Sequence, residues 1–406
     1  MRNPHPLYVS SAKGCYITDI EGASWLDFGN NMGSQIHGHA PQMVMEAVIH
    51  QLGRGTAFAI GTEAEVQFAE YMCGRIASVE RLRFVNSGTE AVMCAIKAAR
   101  AFTGRSKIAK AEGAYHGLYD YAEVSQTASP SNWGPADQPN SVPVAQGTPL
   151  SALSEVVIIP FNDTPRALEI LDRHVDSIAG ILIDLLPHRI GLMPAEPAFV
   201  DALGAWAQKN GALLVFDEVI TFRTTYQGAQ RRYSVLPDLT TLGKMIGGGF
   251  PVGAIGGRAE VMKVFDPSDK PTRLPHSGTF SANPVTMVAG LAAMQQFDAS
   301  AVDKLNTLSE RARLQLREAI KIANVEASIT GAGSMFRIHM KAEPPTNYRS
   351  AFASGQERER LERLLKNFET KGILLIGTGT GMLSTPMGAT EVDRLSSAML
   401  EALRQL

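Results

Sequence analysis

The sequence predicts an α/β protein: a mostly parallel central sheet with helices on both faces, joined to a smaller α+β domain. Three observations predict it. Between about residues 80 and 257, short apolar runs at 82–85, 156–160, 181–185, 213–216 and 252–255 alternate with longer segments of helical period, the pattern of βαβ winding. Those runs are mostly apolar throughout rather than alternating, as strands covered on both faces must be. After Pro284 the pattern turns to long helices at 285–297 and 302–322, then short strands and a last helix at 390–403, which marks a second domain.

Size agrees with this division. A chain of 406 residues, 45% hydrophobic, buries enough apolar surface for two domains. The expected organisation is an opening segment, 1–55, packed with the small domain, a large domain at 56–284, and a small domain at 285–406. The opening segment carries Gly14, an alternating strand at 15–19 and a turn at Glu21-Gly22. Residues 125–154, rich in Ser, Pro, Gly, Asn and Gln, read as a long loop, and loops of that length often serve as lids.

A formal net charge of -2 without long like-charge runs gives no electrostatic reason to expect nucleic acid or an anionic membrane, so small molecules are the expected partners. Cys15, Cys73 and Cys94 are odd in number and widely spaced, which points to neither a disulfide framework nor a zinc site. The opening residues Met1 to Pro6 have no apolar leader core, and no stretch of 18 apolar residues occurs. A cytoplasmic location is the expectation.

The chemistry concentrates in two segments. Residues 212–219, ALLVFDEV, are a buried-strand run ending in two acids, and ligands of open α/β sheets bind at that carboxyl edge. Alone, Asp217 reads equally well as a helix cap, a metal ligand or a hydrogen-bond acceptor. Residues 238–249, DLTTLGKMIGGG, place Lys244 between an apolar strand and three glycines. A lysine is ordinarily a solvated surface charge. Here Leu242, Met245 and Ile246 desolvate it, which favours the free amine needed for a Schiff base, and the glycines admit a ligand or a second backbone.

A Schiff-base lysine together with a carboxylate is the pair that pyridoxal 5'-phosphate requires, because the carboxylate keeps the pyridine nitrogen protonated. At about 4 Å and an effective dielectric near 20 that pairing contributes about 4 kcal/mol, or about three pKa units. Asp217 is the better candidate than Glu218, which faces the other side of the strand by period two.

A phosphate also needs a seat. Residues 82–90, LRFVNSGTE, run from a strand through Ser87, Gly88 and Thr89 into a helix, whose first-turn amides and dipole attract an anion; the competing reading is an ordinary cap. Residues 112–117, EGAYHG, supply Tyr115, able to stack on a ring, and His116. His276-Ser277-Gly278-Thr279 supplies hydroxyls and small residues suited to an oxyanion. Each of the last two reads, in isolation, as a turn with a satisfied aromatic or histidine.

Taken in order, FVNSGTEA, GAYHG, LLVFDEV, PDLTTLGKMIGGGFPVGAIGG and HSGTFSANP make the chain resemble the class III, fold-type I aminotransferases, in the group around glutamate-1-semialdehyde aminomutase and the β-amino-acid aminotransferases. The resemblance covers nearly the whole chain. It implies a Schiff base at Lys244, a ring-nitrogen partner at Asp217, Val219 on the ring face opposite Tyr115, and phosphate contacts from Ser87, Gly88 and Thr89. It further implies that His116 lies near the cofactor and supports Asp217, and that Thr279 reaches the phosphate of a neighbouring subunit, hence a homodimer. The implied activity is transfer of an amino group from an amino acid, possibly a β-amino acid, to a 2-oxo acid, with aminomutase-type intramolecular transfer as the alternative.

The sequence departs from that family where substrate is held. Asp184-Leu185 stands where relatives usually carry Glu-Pro, followed by Pro187, His188 and Arg189, so Arg189 is a candidate grip for a substrate carboxylate, with a structural salt bridge as the equal alternative. Thr378 stands near the position of an arginine in β-phenylalanine-type relatives. Met32 replaces a pocket aromatic and makes a more adaptable wall.

Overall fold

The computed structural model describes residues 6–406. The reading of the first residues as lacking a leader, and the start of the 1–55 segment, fall on residues 1–5 and so lie outside the described residues. The strands, in chain order, are β1 (Val9–Lys13), β2 (Tyr16–Asp19), β3 (Ser24–Asp27), β4 (Arg81–Val85), β5 (Lys107–Ala111), β6 (Val156–Ile159), β7 (Ile178–Asp184), β8 (Leu213–Asp217), β9 (Leu239–Gly243), β10 (Gly253–Gly257), β11 (Ser328–Thr330), β12 (Met335–His339), β13 (Ile373–Leu374) and β14 (Thr380–Met382).

The central sheet has the order β4-β10-β9-β8-β7-β5-β6. Its pairs are parallel except for β10, which runs antiparallel to both β4 and β9. Glycines make that wedge possible. A Cβ at Gly253 would stand 2.0 Å from the Ser87 carbonyl oxygen, and one at Gly257 2.2 Å from that of Asp238. With β10 reversed on both sides, β4 runs parallel to β9, so the carboxyl ends of β4, β5, β7, β8 and β9 all meet at one edge.

Alternate residues of β7 mark the two covered faces. Leu182 packs with the helix Gly88–Thr103, whereas Ile181 and Ile183 pack with the helices Thr164–Asp172 and Pro197–Asn210. Both layers are apolar, as the run-like strands require.

The opening strands form a second sheet, β1-β2-β3-β13, whose last member comes from the far end of the chain and pairs parallel with β3. A third sheet, β11-β12-β14, is antiparallel and packs under the helix Ala299–Ala323, which itself lies against Ala389–Leu403. The helix Pro284–Gln296 sits on Gln42–Leu52, on Glu63–Arg75 and on the turn Lys244–Gly247. There a Cβ at Gly290 would come within 2.3 Å of the Ile246 carbonyl oxygen. This helix is the seam between the two halves, sharing one continuous apolar cluster with both.

Residues 125–154 carry regular structure only at their end, in the short helix Leu150–Ser154. The segment is tied down: Trp133 meets Tyr348 and Phe352 edge-on, and Arg349 pairs with Glu112 while donating to the carbonyls of Trp133 and Gly134. Among the described residues, no helix is long and apolar enough to cross a membrane, and no cluster of three or more His, Cys, Asp or Glu is placed to hold a metal. All three cysteines are free.

Candidate active site

Five strand ends empty into one cavity of about 380 Å³, lined among others by Ser87, Gly88, Thr89, Tyr115, His116, Asp184, Asp217, Val219 and Lys244. Residues as far apart in sequence as 87 and 244 meet there because the winding gathers strand carboxyl ends at one edge.

Ser87 is the N-cap of the sixteen-residue helix Gly88–Thr103 and accepts from the Glu90 amide, while Glu90 returns a carboxylate to the Asn86 amide at 2.7 Å. The cap reading and the anion reading are therefore both available at this residue, since a hydroxyl that accepts from an amide keeps its own proton to donate. The first-turn amides of this helix have no intrahelical carbonyl to bond and stand at the cavity wall, a ready seat for a phosphate. Gly88 is closely packed: a Cβ there would be 3.0 Å from Val219 Cγ1, so that side chain would have to give way slightly. Gly117, with φ 93°, would bring one to 2.6 Å from Thr89 Oγ1.

Asp217, the last residue of β8, is buried and held from three sides. Its Oδ2 lies 2.7 Å from His116 Nδ1, and its Oδ1 accepts from Val219 N and Thr241 Oγ1, each at 3.1 Å. His116 is fully enclosed. Burial lowers its pKa, although Asp217 pulls the other way. With Nδ1 donating to a carboxylate, the other ring nitrogen is a bare acceptor, and Nε2 is buried without a hydrogen-bond partner.

Asp184 stands opposite Asp217 in the β7–β8 register. Burial, reinforced by the Asp217 charge, pushes its carboxyl well above the usual range, and its Oδ1 accepts from the Leu186 amide at 2.8 Å. Beside the Asp217 carboxylate, burial thus biases Asp184 toward holding its proton.

Lys244 follows β9 directly and adopts φ 50°, a left-handed conformation that a non-glycine residue rarely takes. Gly243 before it is extended, and Gly248 and Gly249 beyond it have positive φ. Burial lowers the Lys244 pKa, opposed by Asp217 and then Asp184. Desolvation thus biases the amine toward its reactive neutral form, and the Asp217 carboxylate opposes that bias.

The structure places the other sequence candidates as follows. Tyr115 and Val219 both line the cavity. Met32 also lines it, at the mouth, in a run of left-handed residues with Asn30 and Asn31. Thr279 is outside its own chain's cavity, exposed in a separate depression with Phe58, Ile60, Arg83 and His276. Arg189 requires a correction. It is exposed, donates to the Gln126 carbonyl at 3.2 Å, and among the described residues neither lines this cavity nor forms a salt bridge. Pro187 and Ile190 take the buried positions of its turn and leave its side chain outward. Sequence reasoning noticed Asp184 only as a departure from a pattern. Its signal was available as a second strand ending in Asp, and only the register brings it beside Asp217.

A desolvated lysine, a fixed carboxylate and a helix N-terminus meet in one cavity with Tyr115 and Val219 on its wall, and the residues present, with the small-residue turn at Ser87 to Thr89, fit pyridoxal phosphate. The chain belongs to the class III aminotransferases, a pyridoxal-phosphate-dependent family whose model matches residues 1–405. It is 37% identical over 350 residues to a glutamate-1-semialdehyde 2,1-aminomutase of Methanothermobacter thermautotrophicus, covering 86% of this chain and 80% of that one. Among solved structures it is similar to an omega-transaminase from Sphaerobacter thermophilus, with 47% identity and a TM-score of 0.97 over 99% of this chain and 92% of that one. It is also similar to a β-phenylalanine aminotransferase from Variovorax paradoxus, with 32% identity and a TM-score of 0.87 over 99% and 88%.

Proposed function

We propose that this protein transfers an amino group from an amino acid, in the first instance a β-amino acid, to a 2-oxo acid. The observation that carries the reading is the convergence of Lys244 and Asp217 in one cavity at the carboxyl edge of the sheet. Bound pyridoxal phosphate supplies a carbonyl carbon that captures amines and a ring that accepts an electron pair when protonated. The chain's residues do the rest. Lys244 Nζ would hold the cofactor covalently and, as a free amine, would take up and return the proton of the donor carbon. Asp217 would meet the ring nitrogen with its charge, its carboxylate oriented by His116 at 2.7 Å. Ser87, Gly88 and Thr89 would hold the phosphate, and Tyr115 and Val219 would pack against the ring.

Thr279 serves the neighbouring copy in a homodimer. Its exposure outside its own cavity supports this, as do exposed Phe58, Ile60 and Phe280 around it. The decisive experiment is a donor panel on purified holoenzyme, with appearance of pyridoxamine phosphate and transfer to pyruvate or 2-oxoglutarate as readouts and Lys244→Ala as control. No transfer from any donor, or full turnover by the alanine variant, rules the reading out.

A second reading is favoured by the curated relative quoted above: intramolecular transfer of the glutamate-1-semialdehyde kind. Formation of 5-aminolevulinate from glutamate-1-semialdehyde without an added acceptor selects it.

A further inference from the structure

One cation of the small sheet has no role in the site so far described. Arg337 of β12 stands opposite Thr380 of β14, two residues on from the facing pair Met335 and Met382. Side chains two apart on a strand share a face. Arg337 and Thr380 therefore extend the face on which Met335 and Met382 pack with Leu186 and with Ile220, a residue of the cavity wall. That face leads to His188, in the turn that follows Asp184. His188 Nε2 lies 3.2 Å from both Thr378 Oγ1 and Thr380 Oγ1, and its carbonyl accepts from Arg337 Nη1 at 2.6 Å. Burial, and then the charges of Arg337, Arg189 and Lys244, push the His188 imidazole down to about 3. It is neutral, so the positive charge of the cluster belongs to the arginines, with His188 in electrostatic reach of both them and Lys244.

That charge has no counter-ion. Among the described residues neither Arg337 nor Arg189 is in a salt bridge with any carboxylate. Arg337 Nε is buried with no hydrogen-bond partner. Burial, then repulsion from Arg189, lowers the guanidinium to about 10. An enclosed guanidinium that repels a second one and leaves a donor unmet is a structure waiting for an anion, and its planar fork matches a carboxylate.

We propose that Arg337, framed by His188, Thr378 and Thr380 and backed by the outer charge of Arg189, receives the substrate carboxylate, so that carboxylate-bearing amines are preferred over plain amines. This rests on the aminotransferase reading but is tested separately from it.

The test uses holoenzyme of wild type, Arg337→Leu and Arg337→Lys, the lysine variant retaining charge should the leucine variant fail to fold. The first readout is calorimetric binding of 3-phenylpropionate, a carboxylate with no amine. Expected is a loss of about 10- to 100-fold in affinity for Arg337→Leu, the range for a hydrogen bond to a charged group, with partial recovery in Arg337→Lys. The second is the ratio of kcat/KM for 3-amino-3-phenylpropionate to that for 1-phenylethylamine, expected to fall by a similar factor. Wild type that does not bind 3-phenylpropionate, a leucine variant that binds it equally well, or equal losses on acid and amine would each overturn the proposal. If wild type turns over no donor, the aminotransferase reading fails and the binding measurement still decides the role of Arg337.

Discussion

Replacing Lys110 with methionine should remove a pH dependence of this protein's stability whose direction is set by one buried amine. Lys110, in β5, is 0% exposed. Its Nζ donates to the Ala114 carbonyl at 2.9 Å and the Val124 carbonyl at 2.7 Å, and so ties together the stretch that carries Tyr115 and His116. Burial, then the charge of Arg189, lowers its pKa from 10.5 to about 7. Because the folded value is the lower one, the unfolded chain binds more protons between about pH 7 and about pH 10.5. The cost of burying the ammonium is therefore fully present below about pH 7 and fades as pH rises. Between about pH 6 and about pH 9.5 this linkage amounts to about 3 kcal/mol in favour of the folded state. Methionine removes it and leaves two buried carbonyls without donors, costing about 1–3 kcal/mol each. Urea unfolding of cofactor-free wild type and Lys110→Met, followed by tryptophan fluorescence at both pH values, measures the gap between them. Wild type should gain on the variant by about 3 kcal/mol at the alkaline end. A gap that stays constant, or that grows toward acid, refutes the reasoning.

Three further outcomes are expected. Asp217→Asn keeps the shape of the side chain but removes its charge, so the single-turnover rate of the donor half-reaction should fall by about two to three orders of magnitude, in line with about 4 kcal/mol of charge pairing; a loss under about fivefold contradicts the assignment. Gly253→Ala puts a methyl 2.0 Å from the Ser87 carbonyl oxygen, so β10 must move and drag the turn at Ser87 with it. Scanning calorimetry should record a destabilisation of about 3 kcal/mol or more, with weakened cofactor binding. Mixing Lys244→Ala with Thr279→Ala under subunit-exchange conditions should restore activity, because one site of the mixed dimer then has an intact lysine and an intact threonine from different chains. A mixture no more active than its components places Thr279 within its own subunit or outside the site.

How much of this was legible in the sequence depended on whether a signal was local. The Ser87 cap, the lysine between apolar residues and glycines, and the acid ending β8 are each short, contiguous patterns, and all three line one cavity. The strand limits were displaced where a glycine broke an apolar run: β7 begins at Ile178, before the run at 181–185, because Gly180 continues the ladder without contributing to hydrophobicity. What sequence could not give was anything set by register or by side-chain direction. Asp184 becomes an acid in the site only because β7 pairs with β8 in that alignment. Arg189 and Arg337 show the same limit. The first looks conspicuous beside Pro187 and His188 yet is exposed, and the second sits inconspicuously in MFRIH and is set opposite Thr380 only by the pairing of β12 with β14.

The mouth of the cavity shows how the two halves are made to depend on one another. Asn30, Asn31 and Met32 have φ of 45°, 47° and 54°, three successive left-handed residues, and Lys244 across the cavity adds a fourth. Such conformations cost about 1–3 kcal/mol each and persist only where the surroundings dictate them. Here the surroundings are identifiable. Arg223, fully buried six residues after Asp217, donates to the Gly33 carbonyl at 3.2 Å, to Ser334 Oγ at 2.7 Å and to the Leu383 carbonyl. Asn30 Nδ2 donates to the Met382 carbonyl. The strained mouth is thus clamped from one side by the segment that carries Asp217 and from the other by the sheet that carries Arg337. Burial lowers the Arg223 guanidinium to about 9, so the clamp itself is held at a cost. A displacement of the small sheet would have to break these bonds and release Met32 from the wall, which makes the position of that sheet a determinant of the shape of the site.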